Sequence, residues 1–176
     1  MAIQTEVWVP VATLLLGYIL NPINDLLRDS RASKRERAAR DAQKQSLAAE
    51  RHDLFQRQTL LDLQDSLAQS ARAAGASHVE DVTAYRTTGR WQKQPLPADL
   101  DNNFRVSQVQ TSLLAARVAD DDIRHQVKEF RSRVTAVALS LDEPSSDHAL
   151  RAVVELLEDL NERIGQRLRS IDASQV

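Results

Sequence analysis

Residues 23–74 form an unbroken run without proline or glycine, the two residues that most often end a helix. The run is rich in Ala, Leu, Gln, Glu and Arg, whose side chains lose little conformational freedom in a helix. The whole chain of 176 residues contains only four glycines and five prolines. No stretch alternates apolar and polar residues in the manner of a half-buried strand. The sequence therefore predicts an all-α protein.

Apolar residues spaced by three and four positions predict four helical segments that share one core. Gly75 is expected to kink or end the first segment, and HVEDVTAYRTTG is expected to continue it for a helical turn or two before Gly89. The second segment should begin near Ala98, after the prolines at 95 and 97. Because short loops join antiparallel neighbours, residues 50–176 are predicted to form a small antiparallel helical bundle. The residues expected to face its core are Leu60, Leu63, Leu67, Ala71, Ala74, Leu100, Phe104, Val109, Leu113, Leu114, Ile123, Val127, Phe130, Val134, Val137, Leu141, Leu150, Val153, Leu157, Leu160, Ile164, Leu168 and Ile171.

Eighteen residues without a charge, Val7 to Asn24, precede the long polar run. As a helix they would span about 27 Å, slightly less than the roughly 30 Å thickness of the hydrocarbon layer. The segment has no polar face, and Trp8 and Tyr18 lie near its two ends, where aromatic rings favour the membrane interface. We expect a transmembrane helix within residues 1–27, with the anchor residues Trp8, Leu14, Leu15, Leu16, Gly17 and Tyr18.

The segment that follows is strongly basic, with seven basic and three acidic residues from Arg28 to Lys44. Because Lys and Arg are retained on the cytoplasmic side, the N-terminus should lie outside the cytoplasmic membrane and the bundle in the cytoplasm. A cleavable signal peptide would instead carry its positive charge before the apolar run. Residues 28–49 are predicted to form a polar helical stalk whose lipid-facing basic collar is Arg31, Lys34, Arg35, Arg37 and Arg40.

The expected partners are membrane lipids and an unknown protein, and no nucleic acid. No aromatic residue occurs from Arg28 to Asp53, and the chain carries a net charge of −2. A nucleic-acid surface would instead combine clustered positive charge with aromatic or groove-reading side chains.

No pattern in the chain matches the chemistry of a known kind of active site. Cysteine is absent, and there is neither a glycine-rich phosphate loop nor an HExxH motif. Asp122-x-x-His125 occurs once, whereas a carboxylate-bridged metal site needs such pairs on two helices. Ser146, Asp147 and His148 are adjacent, so their side chains point apart on a helix and form no triad. We therefore expect no catalytic residue, no metal and no cofactor. An enzyme whose active site is assembled only by folding is kept as a further hypothesis.

Trp91 follows Gly89 in the one clear loop and has two interpretations. Its ring could fold back and seal the open end of the bundle, as large aromatic side chains usually do. It could also be a contact for a protein partner, because Trp is enriched at the energetic centres of interfaces.

Two features suggest a homodimer. Thr13 and Gly17 form a pair of small residues four positions apart, which allows two membrane helices to approach closely. Leu47, Leu54 and Leu61 recur every seven residues, a spacing typical of a coiled coil. The same leucines could instead belong to the core of the bundle.

The order of apolar anchor, basic stalk, LLDLQDSLAQ, AYRTTGRWQ, LPADLD and LNERIGQRLR resembles a group of uncharacterised small bacterial membrane-anchored helical proteins with coiled-coil character. The resemblance covers most of the chain and implies an anchored helical protein without an assigned activity. The expected function is thus that of a non-enzymatic single-pass membrane protein whose bundle binds another protein. The alternative is a soluble helical oligomer that uses the fourteen residues Val7 to Leu20 as its assembly core.

Overall fold

The computed structural model describes the backbone of residues 5–95 and 97–173, and the side chains of residues 33–95 and 97–173. Over these residues the regular structure is entirely helical, which confirms the all-α prediction. The helices are α1 (Thr5–Thr88), α2 (Ala98–Ala115), α3 (Asp121–Leu139) and α4 (Glu143–Ala173). By contact the chain divides into two compact units, Met1–Glu50 and Arg51–Val176.

The predicted transmembrane helix lies outside the residues whose side chains are described. Over the described part of the chain, no helix carries a run long and apolar enough to cross a membrane.

In the first unit, the described side chains belong to residues 33–50 of α1, and every one of them is exposed. The Arg40 guanidinium donates a hydrogen bond of 2.6 Å to the Glu36 carboxylate one turn earlier. Such pairs stabilise an exposed helix by only a few tenths of a kcal/mol, about 0.2–0.5. The described side chains of this stretch are therefore all accessible, and its role as a stalk stays a prediction.

The second unit is an antiparallel bundle in which each helix runs opposite to the one before it. Where two hydrogen bonds join the same pair of helices, the residue numbers rise on one helix as they fall on the other. The interhelical hydrogen bonds that show this join Gln64 to Asn161 and His78 to Ser146 (α1 and α4), and Gln56 to Arg117, just after α2, and Ser66 to Ser107 (α1 and α2). Short turns connect α2 to α3 and α3 to α4, and the bonds Arg131 to Ser112 and Arg163 to Asp122 agree with antiparallel packing of both pairs. The antiparallel prediction is thus confirmed.

The core of the bundle is built mainly from α1, α3 and α4. The buried residues that the three-and-four spacing predicted on these helices are Leu60, Leu63, Leu67, Ala74, Ile123, Val127, Phe130, Val134, Val137, Val153, Leu160, Ile164 and Ile171, and Ala71, Leu150, Leu157 and Leu168 pack against them partly buried. Gly75 does not end the helix, because α1 continues to Thr88, which confirms the predicted helical continuation before Gly89. A glycine costs a helix about 1 kcal/mol, and burial of Ala73, Ala74 and Val82 on either side offsets it.

The predicted inner face of α2 is wrong at two positions. Val109 and Leu113 are 61% and 58% exposed, whereas Ser107, Thr111 and Leu114 are buried. The Ser66 hydroxyl lies 3.1 Å from the Ser107 carbonyl oxygen, to which it donates, and 2.7 Å from the Thr111 hydroxyl. Buried hydroxyls need partners, and these hydrogen bonds between small residues orient α2 against α1. Leu100 and Phe104 are only partly buried.

The predicted core position of Leu141 is also wrong, because its side chain is 87% exposed. α3 ends at Leu139, and Ser140 is extended, with φ −60° and ψ 142°. Asp142 then accepts a hydrogen bond of 2.7 Å from the Ser145 backbone N–H at the start of α4. The side-chain and backbone hydrogen bonds from Ser145 lower the pKa of Asp142 below its usual value. The periodic pattern therefore stops with α3, two residues before Leu141.

The heptad leucines do not share one environment. Leu47 and Leu54 are exposed and Leu61 is partly buried. The first two therefore do not belong to the core of the bundle, and their role in a coiled coil stays a prediction.

Candidate functional site

The segment between α1 and α2 is an irregular part of the chain that several side-chain hydrogen bonds hold in place. Gly89 has a positive φ of 68°, and its N–H donates to the Tyr85 carbonyl oxygen at 2.8 Å. Glycine adopts this left-handed conformation without a steric penalty, so it ends α1 and reverses the chain. Residues 89–95, referred to here as the Trp91 loop, then contact α1 and the end of α3.

A buried carboxylate fastens the loop. Asp81 on α1 is 1% exposed, and its Oδ2 accepts a hydrogen bond of 2.8 Å from the Lys93 ammonium. Its Oδ1 accepts a bond of 2.7 Å from the Gln94 backbone N–H. The same ammonium donates to the Val137 carbonyl oxygen and to the Ser140 hydroxyl, both at 2.9 Å. All three ammonium protons therefore have acceptors, although a third of the Lys93 side chain is exposed.

Sequence analysis assigned no role to Asp81 or Lys93. One signal was present, since Asp81 lies seven residues after Ala74 and fourteen after Leu67, in phase with the buried stripe. A carboxylate at an inward position needs a cationic partner, and the loop supplies it.

Trp91 covers this network and remains partly exposed. Its Nε1–H donates to the Ser140 carbonyl oxygen at 3.1 Å. Its ring meets Tyr85 edge-on, with centroids 5.9 Å apart, and the Lys93 ammonium lies 5.1 Å from the ring centroid. These contacts agree with the sealing interpretation of Trp91, and its interpretation as a partner contact stays a prediction.

Exposed leucines lie in the sequence on either side of Ser140, whose carbonyl oxygen accepts the hydrogen bond from Trp91. Leu139 and Leu141, on either side of Ser140, are both strongly exposed. Trp91, Leu139 and Leu141 are referred to here as the apolar tip of the bundle. Exposed groups of large apolar residues often mark contact surfaces, whereas single ones need no explanation.

A second polar cluster joins α1 to the start of α4. His78 Nδ1 lies 2.9 Å from the Ser146 hydroxyl, and His78 Nε2 lies 3.0 Å from an Asp147 carboxylate oxygen. Sequence analysis considered His148 beside this pair, but the histidine that folding brings to it is His78. Ser146 is fully buried, so a substrate has no approach to its hydroxyl in this arrangement. The contacts of the cluster therefore link α1 to α4.

The candidate metal pair does not assemble. Asp122 accepts a hydrogen bond of 2.8 Å from Arg163 on α4, and His125 is exposed. Asp120 is the N-cap of α3 and accepts from the backbone N–H groups of Asp122 and Ile123, each at 3.0 Å. Asp122 is thus a first-turn acid, as its position predicted. Among the residues that the structure describes, no three His, Asp or Glu side chains are placed to hold a metal ion.

The predicted membrane residues are only partly within the described side chains. Lys34, Arg35, Arg37 and Arg40 of the basic collar are all exposed on α1. The fifth collar residue and the anchor residues lie outside the described side chains, namely Arg31, Trp8, Leu14, Leu15, Leu16, Gly17 and Tyr18.

Comparison of the chain with protein-family models, with curated proteins and with solved structures finds no match. The resemblance to uncharacterised membrane-anchored helical proteins therefore stays an expectation.

Proposed function

We propose that this protein is a non-enzymatic single-pass membrane protein whose helical bundle, residues 50–176, binds another protein at the cytoplasmic face. The observation that carries the proposal is the uncharged run from Val7 to Asn24, followed by a segment from Arg28 to Lys44 with a strong excess of positive charge. That order is typical of a membrane helix with a cytoplasmic flank.

The exposure of the collar supports the membrane part of the proposal. Lys34, Arg35, Arg37 and Arg40 lie on a stretch of α1 where all side chains are accessible. Each Lys or Arg close to an anionic leaflet contributes about 1 kcal/mol of attraction. One of the four, Arg40, is already paired with Glu36, which reduces its contribution.

The interaction part of the proposal is supported by how the polar groups of the bundle are used. The Asp81–Lys93 pair and the His78–Ser146–Asp147 cluster both join elements of the bundle to one another. The side chains left to contact another protein are those exposed on the surface of the bundle, and the apolar tip includes such side chains. Because Trp is enriched at interface hot spots, Trp91 is the proposed partner contact there.

Fractionation tests the membrane assignment. We expect the full chain to sediment with membranes and to stay there through an alkaline carbonate wash, because a spanning helix is not held by charge alone. Detergent should release it. Recovery of the full chain in the soluble fraction without detergent would reject the anchor and favour the soluble oligomer assembled through Val7 to Leu20.

Orientation is tested separately. A reporter fused after Val176 should be active only in the cytoplasm, because the basic segment follows the apolar run. Neutral substitution of the collar residues Arg31, Lys34, Arg35, Arg37 and Arg40 together should reduce that preference. A fusion to the unsubstituted chain that is active on the outer side would contradict the assignment.

A further inference from the structure

α2 is held to the rest of the bundle more firmly at its end than at its start. Leu114, in the last turn of α2, and Val118, just after the helix, belong to the buried core cluster. Gln56 of α1 is 5% exposed, and its side chain donates to the Arg117 carbonyl oxygen and accepts from the Ala119 backbone N–H. Apolar burial and a buried amide whose two groups are both bonded therefore fix this end.

The first turns of α2 are packed loosely on α1. The N-cap residue is Pro97, which supplies no side-chain hydrogen bond, whereas the Asp120 side chain caps α3. Leu100 and Phe104 are only partly buried. A cavity of about 560 Å³ lies between these turns and α1. It is lined by Gln69, Arg72, Ala73, Ala76, Leu100 and Asn103.

The contact between the two helices is polar where the loose part of α2 ends. The Ser66 hydroxyl of α1 donates to the Ser107 carbonyl oxygen at 3.1 Å. Water can replace a hydrogen bond of this kind at a small net cost, whereas it cannot replace buried apolar contacts. Separation of α1 from residues 98–107 therefore breaks contacts that are easily exchanged for water.

The Trp91 loop ties the start of α2 to α1. The Asp81 carboxylate accepts hydrogen bonds from the Lys93 ammonium at 2.8 Å and from the Gln94 backbone N–H at 2.7 Å. Gln94 precedes Ala98, the first residue of α2, by four positions, which span at most about 14 Å of chain. These bonds therefore limit how far the first turns of α2 can move from α1.

We infer that residues 98–107, referred to here as the strap, open away from α1 while the end of α2 and the other three helices stay packed. The Asp81–Lys93 pair is the contact that holds the strap closed, and the segment from Leu114 to Ala119 is the hinge. Opening widens the cavity between α1 and α2, so the strap controls access to it. This inference concerns a movement within the bundle and does not rest on the proposed function.

Hydrogen exchange of the full chain, read by mass spectrometry of its peptides, tests the strap. A helical segment of about ten residues is marginal in water without packing, so the open strap should lose its backbone hydrogen bonds. Amides of residues 102–107 should therefore exchange at least about ten-fold faster than those of residues 127–137 on α3, after correction for intrinsic rates. Equal corrected rates in the two segments would overturn the inference.

Two variants separate opening of the strap from unfolding of the whole bundle. Lys93→Met removes the contact that holds the strap closed, so exchange of residues 102–107 should accelerate about ten-fold or more. Ile164→Val trims a fully buried side chain of α4 that stays packed whether the strap is closed or open. It should accelerate exchange of residues 127–137 by about 2- to 10-fold and leave that of residues 102–107 unchanged.

The controls distinguish the strap from two simpler kinds of motion. Lys128→Met makes the same substitution at an exposed position of α3 and should leave both segments unchanged. Helical circular dichroism of each variant is the folding control. If Lys93→Met left the exchange of residues 102–107 unchanged, the motion would be ordinary fraying of a helix end. If Ile164→Val accelerated it, the bundle would open as one unit, and either result would overturn the inference.

Discussion

Replacement of Phe130 by alanine is expected to lower the free energy of unfolding by about 3–5 kcal/mol, which is the usual cost of removing a buried aromatic ring. Phe130 is fully buried on α3, within the core cluster that α1 and α4 also line. Truncation removes its apolar contacts and leaves a cavity that close-packed neighbours fill only in part. Urea unfolding of the full chain, followed by helical circular dichroism, measures the change.

Leu141→Ala is the matched control for this substitution, because Leu141 is strongly exposed. We expect it to change the unfolding free energy by less than about 0.5 kcal/mol. If Phe130→Ala cost less than about 1 kcal/mol, the ring would not occupy the core, and the packing of α3 described above would be wrong.

The second large effect is expected at Lys93. Lys93→Met keeps most of the side-chain volume but removes the charge that pairs with buried Asp81. The carboxylate would retain only the Gln94 N–H as a donor among the partners seen here. Breaking a fully buried ion pair lowers the free energy of unfolding by about 3–5 kcal/mol. Because the Lys93 side chain is one-third exposed, we expect a smaller loss for Lys93→Met, in the lower half of a range of about 2–4 kcal/mol. The measurement is the same urea unfolding experiment.

Two further variants make this prediction specific. Lys128→Met makes the same substitution at an exposed position of α3 and should change stability by less than about 0.5 kcal/mol. Asp81→Asn combined with Lys93→Met should recover part of the loss, because the uncompensated charge is gone and the amide oxygen still accepts from Gln94. Equal losses for Lys93→Met and Lys128→Met would show that the buried pair does not stabilise the loop.

The helices and the main core stripes were predictable because they depend on local chemistry. Residues such as Leu63, Phe130 and Ile164 repeat at the spacing that sets one side of a helix, and all three are fully buried. The start of α2 at Ala98 follows from the prolines before it. Gly75 does not end α1, since the packing of α1 on the bundle outweighs a local preference of about 1 kcal/mol.

The polar contacts between distant segments were not predictable in this way. Gln56 donates to the Arg117 carbonyl oxygen at 3.0 Å and accepts from the Ala119 N–H at 2.9 Å, across more than sixty residues of sequence. A glutamine on a helix is usually exposed to solvent. Only the spacing of Gln56 from the buried residues of α1 indicates such a role. Asp81 and Lys93 are twelve residues apart and belong to different elements, so neither residue type indicated the other.

By itself, the sequence determined that the described chain is helical, that α2 begins near Ala98, and which sides of α1, α3 and α4 are apolar. Those properties follow from backbone propensity and from a periodicity that repeats within a few residues. Only the tertiary structure decided that α2 buries Ser107 and Thr111 and exposes Val109 and Leu113. The physical reason is that the hydroxyl of Ser66, on another helix, must find a hydrogen-bond partner once it is buried, and this requirement depends on the packed neighbour.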